Sequence, residues 1–280
     1  MNKKEELNKQ IQLLITQALH EDYIFNDITS KLIIPDNNIS TGRIFALENG
    51  ILAGIKIARQ VFQSIDHGTH FRALKKDGDF VEKGTVLGIV KGRTRVLLAG
   101  ERTALNFLQH LSGIASLTNK YVTKLSSFKT KILDTRKTLP GWRYLEKYAV
   151  SIGGACNHRG NLQDLILVKD NHIKIAGGVP KALNNIFKKK PAGIKVEVEV
   201  ESLKEVKECL VFPVDIIMLD NMNISSLKKA VKLINGKCLI EASGGINLNN
   251  VVKIAKCGVD YISIGRITSS APCLDIHMEF

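Results

Sequence analysis

Two hydrophobic patterns divide this chain. Up to about residue 92, apolar positions alternate in short runs separated by glycine and asparagine turns. After residue 129, short apolar runs alternate with segments in which apolar residues recur every three to four positions. The first pattern predicts antiparallel strands, and the second predicts buried parallel strands with helices between them. The sequence therefore predicts two structural regions.

The first region is predicted to begin with an amphipathic helix over residues 3–20. Residues 42–47 and 51–55 then have the composition of two strands. The Asn49-Gly50 pair between them is a common hairpin signal, so we expect the two strands to pair with each other. The other elements predicted here are a polar turn at residues 27–30, a helix at residues 57–65 and short strands with tight turns at residues 76–87.

Helical periodicity follows this region. Apolar spacing predicts a long helix from Arg95 and a further helix from Ile114 to Leu125. We place a domain boundary where hairpins give way to these helices. This gives an N-terminal α+β sandwich domain of residues 1–108 and a second domain of residues 109–280. The C-terminal tail, residues 270–280, is expected to pack back on the first domain.

The second domain is predicted to alternate strands and helices, which indicates an α/β fold with a parallel sheet. Such a sheet either closes into a βα barrel or stays open with helices on both faces. No G-x-G-x-x-G motif follows the first strand, and we favour an open, TIM-like barrel of about six to seven strands. The predicted strands are residues 131–135, 165–169, 195–199, 215–219, 238–242 and 261–265, and the predicted helices are residues 179–187, 203–210, 224–234 and 248–257.

Composition is that of an ordinary globular protein, with 280 residues, of which 44% are hydrophobic and 24% charged. Its five cysteines form no CxxC pair and no zinc-type spacing, so buried, reduced thiols in a reducing compartment are expected. The N-terminus has no apolar signal segment, and no apolar run is long enough to span a bilayer. We therefore expect a cytoplasmic protein without a membrane partner.

The net charge of +13 favours anionic partners, such as nucleic acid, acidic lipid or phosphorylated metabolites. A nucleic-acid-binding module would show basic segments interleaved with aromatic residues, or a recognisable motif. The sequence has neither, so no nucleic-acid partner is expected. The anion site is expected where basic residues cluster.

Polar and charged residues follow almost every predicted strand of the second domain. In a βα barrel the carboxyl ends of the strands share one face, so these residues would converge on one site. Basic side chains can bind carboxylate or phosphate there, and acidic ones suit Mg²⁺ or ribose hydroxyls. The basic group is Arg136, Lys137, His158, Arg159 and Lys169, and the acidic group is Glu199 and Asp220.

One predicted strand alternates glutamate with valine. Glu197, Glu199 and Glu201 would lie on one side of this strand and the valines on the other. An outward-facing row of glutamates would be structural only. We favour the polar interior of a barrel, and expect at least one of the three to be functional.

Glycine-rich turns end the last two predicted strands, at Ser243-Gly244-Gly245 and at Ser263-Ile264-Gly265. Glycine lets backbone N–H groups approach a phosphate closely. The last two strand loops of a barrel often form a phosphate site together. The two turns therefore predict one shared site for a phosphate.

These residues belong to a series of motifs that covers essentially the whole chain. The series comprises D-T-R-K-T-x-P-G-x-R at residues 134–143, N-H-R-x-x-L-x-D at 157–164, K-D-N-H at 169–172, E-R-T-A-L-N at 101–106, V-E-V-E at 196–199, M-L-D-N at 218–221, E-A-S-G-G-I at 241–246 and S-I-G at 263–265. In content and order it resembles the quinolinate phosphoribosyltransferases, the carboxylating nicotinate-nucleotide pyrophosphorylases.

The resemblance implies an N-terminal α/β sandwich and a C-terminal open barrel of βα units. It implies that quinolinate and phosphoribosyl pyrophosphate are converted to nicotinate mononucleotide, pyrophosphate and CO₂, with Mg²⁺, in NAD biosynthesis. It also implies a homodimer, or a hexamer that is a trimer of dimers, in which Arg102 of one subunit reaches the active site of the other.

The resemblance further implies roles for individual residues. Quinolinate would be bound by Arg102, Arg136, His158, Arg159 and Lys169. The catalytic residues, which also serve phosphoribosyl pyrophosphate and its metal, would be Lys137, Glu199 and Asp220. The two acids of that set would hold Mg²⁺ directly or indirectly, and Thr135 would add a substrate contact. The 5′-phosphate would be bound by Ser243, Gly244, Gly245, Ser263 and Gly265.

Three positions depart from the family's motifs. Ala155 stands where a third glycine is usual, Arg266 where a small residue is usual, and Ser269 where a histidine is frequent. The last two adjoin the phosphate turns and affect that contact. A paralogue of the same fold acting on another aromatic acid, such as the molybdenum-transport-associated relative, is the alternative that the motifs leave open.

Overall fold

The structure is a computed structural model that describes residues 3–280, with side chains from residue 8 onward. The elements up to residue 124 are α1 (Lys3–Glu21), α2 (Ile28–Ile33), β1 (Ile39–Ala46), β2 (Gly50–Ile51), α3 (Ile55–Ile65), β3 (His70–Ala73), β4 (Phe80–Val81), β5 (Val86–Arg93) and α4 (Thr94–Lys124). The later elements are β6 (Lys131–Leu133), α5 (Arg143–Ile152), β7 (Ile166–Val168), α6 (Asp170–Ala176), α7 (Val179–Lys189), β8 (Val196–Val200), α8 (Leu203–Cys209), β9 (Ile216–Asp220), α9 (Ile224–Ile234), β10 (Leu239–Ser243), α10 (Val251–Ala255), β11 (Tyr261–Ser263), α11 (Arg266–Ser269) and β12 (Ile276–Glu279).

The chain forms two compact units, and each is assembled from separate segments. We call the first the antiparallel unit; it comprises the chain up to Asn119, Thr138–Gly154 and Arg266–Phe280. The second, the parallel unit, comprises Lys120–Lys137 and Ala155–Gly265. The sequence boundary after residue 108 stays a prediction.

The antiparallel unit contains a sheet with the strand order β12-β1-β5-β3 and a separate pair, β2-β4. The C-terminal strand β12 pairs with β1, with Ala46 opposite Ile276. Apolar side chains of β1 point into the core, and Ile44 and Ala46 are fully buried. Burial of this face fixes the register, because a slip by one residue would expose it.

The hairpin predicted through Asn49-Gly50 is wrong. β1 pairs with β5 and β12, whereas β2 pairs with β4. The chain after β1 is held by α4 instead, because the Ser116 hydroxyl accepts the Ile51 N–H at 2.8 Å and the Ser112 hydroxyl accepts the Ala53 N–H at 2.9 Å. Tertiary partners thus override the local turn preference.

Two further local predictions are also corrected in this unit. The two helices expected after Arg95 are one helix, α4, which continues through Gly113. Glycine is needed there for close approach, since a Cβ would lie 2.0 Å from the Pro272 carbonyl oxygen. The polar turn at residues 27–30 is the start of α2, where the Asp27 carboxylate accepts the Ser30 N–H at 3.0 Å.

The parallel unit contains a six-stranded sheet with the order β6-β11-β10-β9-β8-β7. Every pairing within it is parallel. Each of its strands overlaps one that the hydrophobic pattern predicts, and helices α7 to α10 overlap the predicted helices. The prediction of an α/β fold with a parallel sheet is therefore confirmed.

A short segment at Cys156 covers the outer edge of β6. The Cys156 N–H donates to the Ile132 carbonyl at 2.9 Å, and the Asp134 N–H donates to the Cys156 carbonyl at 3.3 Å. This parallel bridge acts as an additional strand position. It fixes the backbone that leads directly into His158.

Two predictions from composition can be compared with the structure. The cysteines of the described chain are all free, as expected, but only Cys209 and Cys257 are buried, while Cys156 and Cys273 are exposed. Among the residues that the structure describes, no helix is long and apolar enough to cross a membrane.

Candidate active site

The carboxyl ends of the parallel strands carry the predicted site residues of this unit. Because the strands are parallel, these ends lie along one edge of the sheet. Asp220 and Ser243 end β9 and β10 and are paired in register. The other residues at this edge are Arg136 after β6, Lys169 after β7, Glu199 in β8 and Ser263 at the end of β11.

Lys169 and Glu199 form an ion pair between neighbouring strands. The Lys169 ammonium lies 2.9 Å from a Glu199 carboxylate oxygen, and the Glu199 side chain is only 12% exposed. The Lys169 backbone is fixed as well, since its N–H donates to His172 Nδ1 at 3.0 Å at the start of α6. The ammonium is therefore held at the strand ends.

Arg159 lies near Arg136, so that two guanidinium groups share one partly buried region. Burial lowers the pKa of Arg159, and the positive charge of Arg136 lowers it further, against the opposing effects of Glu197, Asp164 and Glu199. Like charges gathered in this way repel one another. An anion that binds between them would relieve this repulsion, so the arrangement suits a substrate with several negative charges.

Asp134 ties the end of β6 to the segment that carries His158 and Arg159. It is fully buried, and its Oδ1 accepts the His158 N–H at 2.8 Å. The basic residues at 136 and at 158–159 thus have a common anchor. The sequence did not assign this role to Asp134.

A buried group of three ionisable residues lies beneath the strand ends. His158 Nε2 is 3.0 Å from Glu197 Oε2 and 3.7 Å from Glu241 Oε2, and both carboxyl groups are inaccessible to solvent. Burial is the main reason why the pKa of each glutamate is raised. Sequence reasoning placed Glu197 on the interior side but missed Glu241; the signal for it was a glutamate inside the apolar strand Leu239–Ser243.

Glu241 leads us to expect a pH-dependent stability. Its pKa is raised by burial and by Glu197, whereas the pKa of a glutamate in an unfolded chain is about 4.3. Above that pH the folded protein holds more protons than the unfolded chain, so the free energy of unfolding should fall as pH rises, by up to about 1.4 kcal/mol per pH unit for this one group. Urea unfolding from pH 5 to 8 should show a smaller decline for Glu241→Gln. Identical declines would contradict this expectation.

The turn after β10 needs its first glycine for steric reasons. Gly244 has φ +89°, and a Cβ there would lie 2.2 Å from Asn221 Oδ1. Gly245 has φ +62°, and a Cβ would meet no atom within 4 Å. The turn therefore packs directly against the residue that follows β9, whose side-chain amide donates to Asp220 at 2.7 Å.

The turn after β11 lies against Lys137. A Cβ at Gly265 would be 2.8 Å from Lys137 Cδ and 3.5 Å from Thr135 Oγ1. The Thr135 hydroxyl also accepts the Lys137 N–H at 3.0 Å. Glycine at 265 therefore leaves room for the lysine to extend over the second predicted phosphate turn.

The structure thus brings most predicted site residues to one edge of the parallel unit. Three positions belong to the antiparallel unit: Arg102, which is exposed on α4, and Arg266 and Ser269 of helix α11. The roles predicted for individual residues, including Arg102 and the altered phosphate contact, stay predictions. The geometry defines the class of protein, an α/β enzyme with a cationic site at the carboxyl ends of parallel strands.

The chain belongs to the quinolinate phosphoribosyltransferase family. Residues 27–112 match the model of the family's N-terminal domain, and residues 114–279 match that of its C-terminal domain. A probable carboxylating nicotinate-nucleotide pyrophosphorylase of Synechocystis is 44% identical over 240 residues, which cover 85% of this chain and 81% of the relative. A mitochondrial decarboxylating quinolinate phosphoribosyltransferase of Nicotiana tabacum is 41% identical, over 94% of this chain and 80% of the relative.

Solved structures agree with this assignment. NadC from Streptococcus pyogenes superimposes with a TM-score of 0.93 and 42% identity, covering 97% of this chain and 96% of that one. The nicotinate-nucleotide pyrophosphorylase of Francisella tularensis gives a TM-score of 0.92 and 40% identity, with 97% and 96% coverage. The resemblance that the motifs indicated is confirmed.

Proposed function

We propose that this protein transfers the phosphoribosyl group of phosphoribosyl pyrophosphate to quinolinate, with decarboxylation, in NAD biosynthesis. The products are nicotinate mononucleotide, pyrophosphate and CO₂. The observation that carries the proposal is the pair of guanidinium groups, Arg136 and Arg159, which lie close together, with Lys169 held by Glu199 at the carboxyl ends of the same sheet. Family membership supports the same reaction.

The chemistry requires such a site because both substrates are strongly anionic. Unscreened, they would repel each other, and fixed positive charges offset that repulsion before the reaction begins. The pyridine nitrogen attacks the anomeric carbon of the ribose as pyrophosphate leaves. The ring nitrogen then carries a positive charge, which stabilises the electron pair left on the adjacent ring carbon when its carboxylate departs as CO₂, and a proton bonds to that pair.

The protein's own groups act by position and charge. Arg136, Arg159 and Lys169 would hold the two carboxylates of quinolinate, and Lys137 would contact phosphoribosyl pyrophosphate beside Gly265. The turns after β10 and β11 would present backbone N–H groups to the 5′-phosphate. Glu199 and Asp220 would stabilise the positive charge that develops on the ribose. No covalent nucleophile is needed.

Mg²⁺ is expected to bind with the pyrophosphate group. The oxygen donors of Asp220 and Glu199 suit Mg²⁺, which commonly takes one or two carboxylates together with phosphate oxygens and water. Asp220 is half-buried at the strand end, whereas Glu199 is already paired with Lys169 at 2.9 Å. The residues therefore fit an ion held mainly by substrate and Asp220, which when bound would neutralise the leaving pyrophosphate.

We also propose that the parallel sheet curves into an open barrel. The strand order places β6 and β7, which come first in the chain, at its two ends. The Cys156 segment extends the β6 end, and His158 just after it reaches Glu197 on β8 and Glu241 on β10. Contacts between residues so many strands apart are expected when a sheet curls round a common interior.

The assay that tests the reaction uses quinolinate labelled in the 2-carboxyl group. We expect labelled CO₂ to be released only when phosphoribosyl pyrophosphate and Mg²⁺ are both present. Nicotinate mononucleotide and pyrophosphate should appear in equal amounts with the CO₂. A folded sample that releases no labelled CO₂ would refute the proposed function. An assay with nicotinate in place of quinolinate is the control for phosphoribosyl transfer without decarboxylation.

A homodimer, alone or within a hexamer, is proposed as the functional assembly. Supporting it, the antiparallel unit exposes large apolar side chains close together in sequence, with Tyr23 76%, Ile28 72% and Leu32 79% accessible. Apolar residues exposed in such a group are typical of protein interfaces. Arg102 is likewise exposed, as the shared-site prediction requires.

Subunit mixing tests whether Arg102 serves the partner's site. Arg102→Ala and Arg136→Ala are each expected to be inactive alone. Unfolding and refolding them together in equal amounts should restore about a quarter of wild-type activity, because half of the dimers are mixed and each mixed dimer has one intact site. No recovery, with dimers confirmed by light scattering, would contradict a shared site.

A further inference from the structure

Both ring nitrogens of His158 are occupied by the protein itself. The Arg159 backbone N–H donates to His158 Nδ1 at 2.8 Å, so Nδ1 is an acceptor and carries no proton. The ring proton is therefore on Nε2, which donates to Glu197 Oε2 at 3.0 Å. In a doubly protonated ring, the Nδ1–H and the Arg159 N–H would both be donors and would repel each other. The geometry thus defines a single tautomer.

This tautomer argues against a metal ion at the buried group. Ligand atoms of His158, Glu197 and Glu241 lie within 4.8 Å of one another, which is a spacing that a metal ion could use. A histidine binds metal through an unprotonated nitrogen. Here the nitrogen that faces both carboxyl groups is the protonated one, so it has no lone pair to offer a metal ion.

We propose that His158, Glu197 and Glu241 are positioning residues for Arg159, and that His158 does not contact quinolinate through its ring nitrogens. Glu197 holds Nε2 from β8, and Glu241 lies behind the same nitrogen on β10. Nδ1 in turn fixes the backbone of Arg159, and Asp134 fixes that of His158. The inference rests on the proposed function, since it assigns Arg159 to substrate binding.

Arg159 needs this support because its surroundings disfavour its position. Its guanidinium is partly buried near that of Arg136. If the backbone loosened, repulsion from Arg136 would shift the guanidinium, which donates a hydrogen bond to the Leu165 carbonyl at 3.3 Å. Displacement of a binding group by about 1 Å can cost roughly a hundredfold in rate. Removing a member of the buried group should therefore weaken quinolinate binding and leave the binding of phosphoribosyl pyrophosphate unchanged.

The tautomer is tested directly by ¹⁵N NMR of histidine-labelled protein, with His158→Gln to assign the signal. We expect the Nε2–H form in the substrate-free protein and in the complex with quinolinate, and no change in the His158 signals on addition of Zn²⁺. A proton on Nδ1, a doubly protonated ring or a zinc-dependent shift of His158 would overturn the inference. None of these results depends on turnover.

Kinetics of Glu241 variants test the positioning role. Glu241→Ala should raise the KM for quinolinate at least about tenfold, with the KM for phosphoribosyl pyrophosphate changed less than about threefold. Glu241→Gln keeps the shape of the side chain that lies 3.7 Å from His158 Nε2, and should restore the quinolinate KM. The matched control is Ile240→Ala, a buried neighbour on the same strand, which should lower the melting temperature and leave both KM values unchanged.

The outcomes distinguish failure of the proposed function from failure of the positioning role. An inactive but folded wild-type protein refutes the proposed function and leaves the NMR test of His158 intact. An active wild-type protein whose quinolinate KM is unaffected by Glu241→Ala overturns the positioning role. The same holds if both KM values rise together, or if Ile240→Ala reproduces the effect.

Discussion

Arg136→Ala and Lys137→Ala should each reduce turnover at least about a thousandfold, while the melting temperature stays nearly unchanged. Arg136 is half-buried next to Arg159, and Lys137 is exposed over Gly265. Neither side chain is part of the apolar core. Their removal therefore takes charge away from the site without creating a core cavity, and it even relieves repulsion at Arg159.

Steady-state kinetics and thermal unfolding of the two variants, side by side, check this expectation. Lys207→Ala, which removes an exposed lysine from α8, is the matched control and should behave like wild type in both. Arg136→Lys keeps the charge but loses the bidentate geometry, so only part of the activity should return. Loss of folding in both alanine variants would assign these residues a structural role instead.

Gly244→Ala should produce the second large effect. The new Cβ would lie 2.2 Å from Asn221 Oδ1 and 2.8 Å from the Asn221 backbone nitrogen, at φ +89°. The turn after β10 must then move, which should cost about 2 kcal/mol of stability or more. It should also raise the KM for phosphoribosyl pyrophosphate by at least about tenfold, because the turn is proposed to bind the 5′-phosphate.

Gly245→Ala is the matched control for this effect. Its φ of +62° is one that other residues adopt at modest cost, and a Cβ there would meet nothing within 4 Å. We expect a smaller loss of stability, of about 1 kcal/mol. Urea unfolding and substrate kinetics on both variants provide the comparison. Equal effects of the two substitutions would show that the steric contact with Asn221 is not what the turn requires.

The parallel strands could be read from the sequence because their signal is local. Ile216–Asp220 and its neighbours are short apolar runs that end in polar residues, and each is separated from the next by a helical pattern. A parallel strand is commonly buried on both faces, and in β8 Val196, Val198 and Val200 are buried on one face and Glu197 on the other. The same pattern also predicts Lys169, Asp220 and Ser243 at strand ends.

Pairing in the antiparallel unit could not be read in this way. The Asn49-Gly50 turn has the composition of a hairpin, but β1 is paired by strands that begin about 40 and 230 residues further along the chain. Gly113 is a residue type that often ends helices, but it lies within α4, where the missing side chain leaves room for the Pro272 carbonyl. In both places a distant segment supplies the deciding contact.

The buried group at His158 shows the same limit inside the site. The motif predicts that His158 is functionally important, but it does not show what the imidazole ring contacts. Its role follows from a backbone N–H on one side and from Glu197 on the other. Glu241, a single glutamate in an apolar strand, had no local feature that would associate it with a histidine 83 positions earlier.

The sequence alone determined the order of elements, the parallel sheet, the family and the set of charged residues at the strand ends, because each of these is encoded by neighbouring residues. Only the tertiary structure decided which strands pair in the antiparallel unit, which glycines have no room for a side chain, and which groups occupy the nitrogens of His158. Those features arise from contacts between residues far apart in the chain, whose energies no local pattern records.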